Sequence, residues 1–218
     1  MSRPSAKTDR ELSIPADEFI WDASDDPDAH KYLTLPIEKV LKEAQVRTIF
    51  DLGCGNGAMA GHLASIGYTV AGCDHSLSGI EQACMRFPGI SFFQHDVSLR
   101  LPENHLGKYD AVVSTEVIEH LLLPRKLMQN AFSALKPGGI LIATTPYHGY
   151  LKNLILALTN RFDDHWHPLR DYGHVKFFSR RTLSQLFVES GFHEIRFATA
   201  GRIPAIACSM IVSGRKPS

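Results

Sequence analysis

Chemistry-bearing residues concentrate in one short stretch, where an apolar run ends in an acid and glycines follow at every second position. The stretch is Ile49-Phe50-Asp51-Leu52-Gly53-Cys54-Gly55-Asn56-Gly57. Glycine lacks a Cβ, so the backbone can approach a ligand closely and adopt positive φ angles. The helix predicted to follow, over residues 58–66, would direct its first N–H groups at that ligand. The pattern predicts a strand, a ligand-binding turn and a helix.

Two classes of cofactor bind to turns of this kind, and Asp51 favours one of them. Gly53, Gly55 and Ala58 also satisfy the dinucleotide pattern G-x-G-x-x-G/A. The Asp51 carboxylate would repel a pyrophosphate but attract the ammonium and sulfonium groups of S-adenosylmethionine. We therefore expect S-adenosylmethionine, with a nicotinamide oxidoreductase as the less favoured alternative. An ordinary strand-to-helix turn capped by Asp51 is the structural alternative.

Two further predicted strands end in acids. Asp74 follows the apolar run 68–73, and an acid at this point can hold both ribose hydroxyls in either cofactor class. His75, directly after it, is a further cofactor-binding candidate. Asp96 follows the run 90–94 and could accept a hydrogen bond from the adenine amino group, with Val97 against the ring. The alternative for Asp96 is a turn or capping aspartate.

A second group of polar residues follows the fourth predicted strand, in Glu116-Val117-Ile118-Glu119-His120. If this segment is helical, Glu116, Glu119 and His120 share one face through their i, i+3 and i, i+4 spacing. Two carboxylates and an imidazole can ligate a divalent metal, or act as a general base with its orienting acid. Capping or solvent-exposed roles without chemistry are the third interpretation.

The elements that position these residues alternate between helix and strand as far as residue 145, which is typical of a parallel sheet. Ligands bind at the carboxyl ends of the strands in such sheets, where the acids lie. The first helix, over residues 34–44, is expected to direct Leu35, Val40 and Leu41 inward. Ser179 is expected to cap the last helix.

In order and spacing, these motifs resemble the class I S-adenosylmethionine-dependent methyltransferases. The resemblance covers about residues 45–146 and includes Tyr109-Asp110-Ala111-Val112-Val113-Ser114-Thr115-Glu116 and Leu135-Lys136-Pro137-Gly138-Gly139-Ile140-Leu141. It implies an α/β fold with a doubly wound, seven-stranded, mostly parallel Rossmann-like sheet and an antiparallel last strand. It also implies that the glycine turn holds the methionine end of the cofactor, Asp74 the ribose and Asp96-Val97 the adenine, with Glu116 in contact with the cofactor.

Two branches of the family are similar around Glu116–His120: the O-methyltransferases of ubiquinone biosynthesis and the small-RNA 3′-terminal 2′-O-methyltransferases. Both have a Glu-x-x-Glu-His element, which in the RNA enzymes binds a metal together with a later histidine. The resemblance transfers the ligand roles, for Mg²⁺ or Zn²⁺, to Glu116, Glu119, His120 and His174. Residues 159–172 depart from the RNA enzymes. Without a metal, Glu119, His120 and His174 are the catalytic candidates.

The region after Pro146 is rich in aromatic residues and histidines, and we expect it to contact the acceptor. A helix is predicted over residues 147–158 and an irregular segment over 159–178, so residues 147–178 form a substrate-side insertion or lid. The predicted acceptor contacts are Tyr147, Trp166, His167 and Phe177. They favour O-methylation of a small aromatic or lipid-like acceptor. Packing of these rings within the insertion is an equally good interpretation.

Length and charge restrict the remaining possibilities. The 218 residues fit a single methyltransferase domain over residues 1–218, with a flexible tail over 1–18. The mixed aromatic and acidic segment 19–22 is expected either to cover the cofactor or to pack on the sheet. Lys+Arg and Asp+Glu both number 23, which weighs against an RNA 2′-O-methyltransferase because nucleic-acid binding needs a basic excess.

The sequence contains no apolar signal core and no apolar run that could span a bilayer. Its four cysteines lack C-x-x-C spacing, which is typical of a reducing compartment. We expect a cytoplasmic monomer or homodimer that acts on a small molecule, with peripheral membrane contact through residues 147–158 as an option. An S-adenosylmethionine-binding protein without catalytic activity is the remaining alternative.

Overall fold

The protein is described here by a computed structural model that covers Trp21, residues 29–166, residue 169 and residues 172–218, without the side chains of Asp164 and His165. The predicted tail over 1–18, the rest of segment 19–22, and His167 lie outside the described residues. The strands are β1 (Thr48–Leu52), β2 (Thr69–Asp74), β3 (Ser91–Gln94), β4 (Tyr109–Thr115), β5 (Leu135–Pro146), β6 (His193–Ala200) and β7 (Ser209–Arg215). The helices are α1 (His30–Glu43), α2 (Ala58–Ser65), α3 (Leu77–Arg86), α4 (Pro124–Ala134), α5 (Tyr150–Leu158), α6 (Phe162–Trp166) and α7 (Arg180–Glu189).

The seven strands form one sheet in the order β3-β2-β1-β4-β5-β7-β6. β7 pairs antiparallel with β5 and β6, and the other four pairs are parallel. The predicted doubly wound, seven-stranded, mostly parallel sheet with an antiparallel last strand is therefore confirmed. The strand order reverses between β1 and β4, and the crevice at such a switch point is where ligands bind. The glycine turn follows β1, and the Glu116–His120 segment follows β4.

Apolar side chains bury both faces of the sheet. One cluster packs α1 and α2 against the sheet, and a second cluster packs α4 and α7 against the opposite face. The predicted inward face of α1 is wrong at Leu35, which is 75% exposed, whereas Leu33, Ile37 and Leu41 are fully buried. These three residues follow the i, i+4 spacing of a helix that begins at His30, and they define its buried face.

Of the two predicted helices that flank the acceptor region, α7 begins as predicted, whereas α5 begins at Tyr150, three residues later than predicted. Ser179 caps α7 through a reciprocal pair of hydrogen bonds with Thr182. α5 forms within the predicted range, but none of its residues is buried, so its apolar side chains face outward. Among the described residues, no helix combines the length and the apolar character that crossing a bilayer requires.

Asp110, at the start of β4, is expected to stabilise the edge of the sheet opposite the glycine turn. Its carboxylate accepts the N–H groups of Arg47 and Thr48 at 3.0 and 2.8 Å and pairs with the Lys136 ammonium at 2.7 Å. Burial opposes ionisation, but these donors outweigh it and hold the pKa of Asp110 well below its usual range. A depressed folded-state pKa contributes stability above the unfolded-state pKa, and that stability is lost as the pH falls.

We expect Asp110→Ala to lower the free energy of unfolding by about 1–3 kcal/mol at pH 7, because it removes hydrogen bonds to a charged group. Urea denaturation measures this loss, which should shrink below about pH 4. Glu189→Ala is the control because it breaks only a surface ion pair with Arg125, and solvent-exposed pairs contribute little to stability. Equal losses in the two variants would contradict the structural role of Asp110.

Candidate active site

The glycine turn is attached to β2 and to the carboxylate that ends it. The N–H groups of Gly53 and Cys54 donate to the carbonyl oxygen of Cys73 at 2.8 and 2.9 Å. Gly55 has a φ of 53°, a conformation that side chains disfavour, and its N–H donates to Asp74 Oδ2 at 2.8 Å. Backbone N–H groups and a carboxylate therefore converge where β1 and β2 end.

The side chains in the turn are mostly buried. Cys54 and Asn56 are 7% and 1% exposed. The Cys54 sulfur lies against Gly72 on β2, and burial raises the pKa of its thiol well above the usual range. Cys54 would therefore meet a ligand through its backbone rather than as a thiolate.

Asp51 is the most unusual group near the turn. Its side chain is fully buried, and neither carboxylate oxygen has a hydrogen-bond partner within 3.5 Å among the described residues. Burial, followed by the negative charge of Asp74, raises the pKa of Asp51 to about 7, although the backbone N–H of Ala60, outside hydrogen-bonding geometry, acts weakly in the opposite direction. A buried carboxyl without partners destabilises a fold unless something compensates it. A cationic ligand at this edge would compensate it, so the site suits the ammonium and sulfonium of S-adenosylmethionine better than a pyrophosphate.

The remaining predicted cofactor residues surround the ends of β2 and β3. Asp74 Oδ1 accepts the N–H of Ser76 at 2.9 Å, which positions the carboxylate at the start of α3. His75 is exposed at the same edge. Asp96 accepts the N–H of Ser98 at 2.7 Å, as a turn aspartate does. Val97 is 5% exposed and packs in the core, so its side chain is directed into the protein.

The segment after β4 is not an α-helix, which corrects the predicted shared face. Glu116 has a φ of 54°, and a single 3₁₀ turn follows at Ile118–His120. Glu116 instead faces β5, where it accepts a hydrogen bond from Thr144 Oγ1 at 2.9 Å while its own N–H donates to the same oxygen at 3.0 Å. Burial raises the pKa of Glu116 to about 7.

Of the four residues predicted as metal ligands, the structure brings Glu119, His120 and His174 together. One potential ligand atom from each lies within 4.8 Å of the others, and Glu116 is not part of this group. Glu119 is 1% exposed, and its Oε1 lies 3.9 Å from His174 Nε2. The two imidazole rings meet edge to face, with centroids 4.8 Å apart. Burial, followed by the charge of Glu116, raises the pKa of Glu119 well above its usual range.

Backbone hydrogen bonds bring His174 to this position. The N–H groups of Val175 and Lys176 both donate to the Glu119 carbonyl at 2.9 Å. His120 Nδ1 lies 2.8 Å from the Tyr172 carbonyl, and because a carbonyl only accepts, Nδ1 carries the proton. This tautomer leaves the lone pair of His120 on Nε2, which can accept a proton or bind a metal.

The aromatic residues after Pro146 form a cluster that includes two of the predicted acceptor contacts. The rings of Trp166 and Phe177 are 4.2 Å apart and meet edge to face, and His148 lies 4.6 Å from Trp166. Phe177 is 54% exposed. The Tyr147 ring lies instead toward Phe197 on β6, at 6.3 Å. The Trp166–Phe177–His148 cluster continues from the segment that carries His174, so it adjoins the Glu119 group along the chain.

Several residues at this edge gave no distinct signal in the sequence. Hydrogen bonds from the side chains of Thr144 and Ser209 lower the pKa of Glu116 and so partly offset the effect of its burial. Lys152 Nζ donates to the Tyr147 carbonyl at 2.9 Å. In the sequence, only the presence of a polar residue near the end of an otherwise apolar strand could have pointed to Thr144 and Ser209 as site residues. The glycine turn also touches the segment after β4, which the sequence did not indicate. Val117 packs so closely on Gly53 that a Cβ at position 53 would overlap its side chain.

Known proteins with similar sequences are methyltransferases. A family model described as a methyltransferase domain matches residues 27–195. The ubiquinone biosynthesis O-methyltransferase of Caulobacter vibrioides is 32% identical over 50% of this chain and 44% of its own length. That of Hydrogenovibrio crunogenus is 32% identical over 63% of this chain and 59% of its own length. The chain thus spans about half the length of these curated relatives.

Similar solved structures share the fold at low sequence identity. The methyltransferase domain of bacterial CtHen1-C has a TM-score of 0.66 and 23% identity, covering 85% of this chain and 97% of that one. The magnesium protoporphyrin IX methyltransferase from Synechocystis PCC 6803 with bound SAH has a TM-score of 0.63 and 18% identity, covering 84% and 83%. With the family match over residues 27–195, the chain belongs to the methyltransferase-domain family and has the Rossmann-like fold of S-adenosylmethionine-dependent methyltransferases.

Proposed function

We propose that this protein transfers a methyl group from S-adenosylmethionine to a hydroxyl oxygen of a small aromatic or lipid-like acceptor. The observation that carries the proposal is the fully buried Asp51 carboxyl, which has no hydrogen-bond partner among the described residues and lies beside the glycine turn. Asp51 and the turn would hold the methionine end of the cofactor, and Asp74 would hold the ribose. When bound, S-adenosylmethionine supplies an activated methyl group on a sulfonium.

The contribution of the protein to the reaction would be alignment, water exclusion and removal of one proton. As the acceptor oxygen would take the methyl group, whose bond to sulfur would break to leave S-adenosylhomocysteine, its hydroxyl proton would pass to the imidazole of His174 or His120. A positioned base of this kind contributes about 10²–10⁴ in rate. Glu119 supports this role, since its buried carboxyl lies beside His174 and, once it has lost its own proton, would stabilise the imidazolium that forms.

The acceptor class rests on the aromatic cluster and on the relatives. Trp166 and Phe177 offer apolar rings, and His148 contacts Trp166. The names of the relatives support oxygen as the acceptor atom. The exposed apolar residues of α5, such as Leu154 and Ile155, support a lipid-like substituent on the acceptor and contact with a membrane surface that contains it.

Isothermal titration calorimetry tests the cofactor directly. We expect the full chain to bind S-adenosylmethionine and S-adenosylhomocysteine but not NAD, because a pyrophosphate would lie beside Asp51. Binding of NAD, or of none of the three, would refute the proposal. Methyl transfer to catechols, to sugars and to short RNA then identifies the acceptor. Activity on RNA with steep salt dependence would favour the RNA 2′-O-methyltransferase, and binding without transfer to any class would favour a non-catalytic role.

A metal-assisted reaction is the second candidate, because Glu119, His120 and His174 each offer one atom within 4.8 Å of the others. Two imidazoles and a carboxylate suit Zn²⁺ and other divalent ions. Such an ion would lower the pKa of an acceptor hydroxyl. EDTA treatment of the purified protein decides between the two versions. Activity that persists after EDTA treatment in protein without copurified metal excludes the metal-assisted reaction. Loss of activity that Mg²⁺ or Zn²⁺ restores supports the metal-assisted reaction.

A further inference from the structure

The indole of Trp21 lies directly on the glycine turn. A Cβ on Gly55 would overlap the six-membered ring of the indole, and a Cβ on Gly79 would lie 2.9 Å from its Cδ1. Real Cβ atoms do not approach their neighbours this closely. The absence of side chains at these two positions therefore creates the surface on which the indole rests. This contact brings an aromatic ring to the backbone that the cofactor is proposed to occupy.

Two hydrogen bonds hold the backbone of Trp21 against the first turns of α3. The Trp21 N–H donates to Ser78 Oγ at 3.0 Å, and Gln82 Nε2 donates to the Trp21 carbonyl at 2.7 Å. α3 begins at Leu77, just after Asp74 at the end of β2. Trp21 therefore spans the glycine turn and α3, which are the two elements on either side of the Asp74 carboxylate.

The position relative to Asp74 indicates which part of the cofactor would meet the indole. Gly55, which the indole covers, donates its N–H to Asp74 Oδ2 at 2.8 Å. The resemblance to methyltransferases assigns the ribose to Asp74. An indole offers a wide, rigid and mostly apolar surface, which suits the carbon face of a ribose or the plane of a nucleobase better than a charged group.

We propose that Trp21 forms a wall of the cofactor site and contacts the nucleoside part of S-adenosylmethionine. This inference rests on the proposed function, and it assigns a binding residue outside the glycine and acidic motifs. The indole would exclude water from the nucleoside and restrict its position. Its loss is expected to weaken binding of S-adenosylhomocysteine about 10-fold or more, the order of magnitude of one aromatic stacking contact.

The two tryptophans of the chain, Trp21 and Trp166, allow a direct test. Trp166→Phe leaves Trp21 as the only fluorescent indole, and its emission is expected to change on titration with S-adenosylhomocysteine. In the same Trp166→Phe background, Trp21→Ala is expected to raise the calorimetric Kd about 10-fold or more. Trp21→Phe keeps a ring at this position and is expected to restore most of the affinity.

The outcomes separate this inference from the function on which it rests. If the wild-type protein does not bind S-adenosylhomocysteine, the proposed function fails and this inference fails with it. If the wild type binds but the Trp21 emission does not respond and Trp21→Ala keeps the parental Kd, only the role of Trp21 is overturned. Circular dichroism checks folding. Should Trp21→Ala unfold, the emission titration alone decides, since an unresponsive indole is not in the site.

Discussion

Asp51→Asn is expected to weaken binding of S-adenosylhomocysteine about 100-fold while the folded protein becomes no less stable. The carboxylate is fully buried and lacks a hydrogen-bond partner among the described residues, so the ammonium group of the ligand would be its main compensation. Removing one member of a buried charge pair weakens binding by about 2–5 kcal/mol, which corresponds to the expected fold-change. Asparagine preserves the shape of the side chain and removes only its charge.

The same carboxyl is expected to make both binding and stability depend on pH. Its pKa is about 7 in the folded protein, so the charged form and the affinity for a cationic ligand should increase as the pH rises from about 6 to 8. Stability changes in the opposite direction. A folded-state pKa above the unfolded-state value favours folding at low pH, and this contribution is lost progressively as the pH rises from about 4 through 7. The loss is on the order of 4 kcal/mol, from the shift above the ordinary value of 3.8.

Calorimetry at pH 6, 7 and 8 and thermal denaturation of the ligand-free protein measure both effects. Asp51→Asn should bind weakly at every pH and should lose most of the decrease in Tm that the wild type shows as the pH rises from about 4 to 7. Glu81→Gln, at an exposed position on α3, is the matched control for removing one negative charge. An Asp51→Asn variant that binds as tightly as wild type would show that Asp51 does not contact the ligand.

His174→Ala is expected to lower kcat about 10²–10⁴-fold without changing the Kd for S-adenosylhomocysteine. The magnitude is that of a lost general base. We expect kcat to change without the Kd because His174 belongs to the Glu119 group and not to the glycine turn.

Companion variants distinguish the base from its orienting group. Glu119→Gln keeps the volume of the side chain but removes the charge that would stabilise an imidazolium, so it should lower kcat less than His174→Ala and shift the pH profile. His193→Ala, an exposed histidine on β6, is the control and should leave kcat unchanged. If His174→Ala keeps full activity in the presence of EDTA, His174 is neither the base nor a metal ligand.

Local sequence was sufficient to predict the edge of the sheet at which the proposed cofactor site lies. The alternation of apolar strands with helices predicted the parallel sheet, and the strand-terminal acids Asp51 and Asp74 were correctly assigned to its carboxyl edge. These features depend on neighbouring residues: a strand followed by a glycine turn and a helix specifies its own geometry, and parallel strands bring their carboxyl ends together. The capping of α7 by Ser179 was predictable for the same reason.

Contacts between distant segments decided the acceptor side, because helical spacing does not determine where a loop folds. The positive φ of Glu116 directs it to Thr144 and away from Glu119, which no periodicity in the sequence indicates. His174 reaches Glu119 through backbone hydrogen bonds from Val175 and Lys176 and through the contact of His120 with the Tyr172 carbonyl. Trp21 likewise meets the glycine turn because Gly55 and Gly79 leave room for its indole. Residue types thus predicted the methyl-donor chemistry, while long-range packing determined which of the predicted groups lie together, since a polar side chain acts only with the partners that the folded chain brings to it.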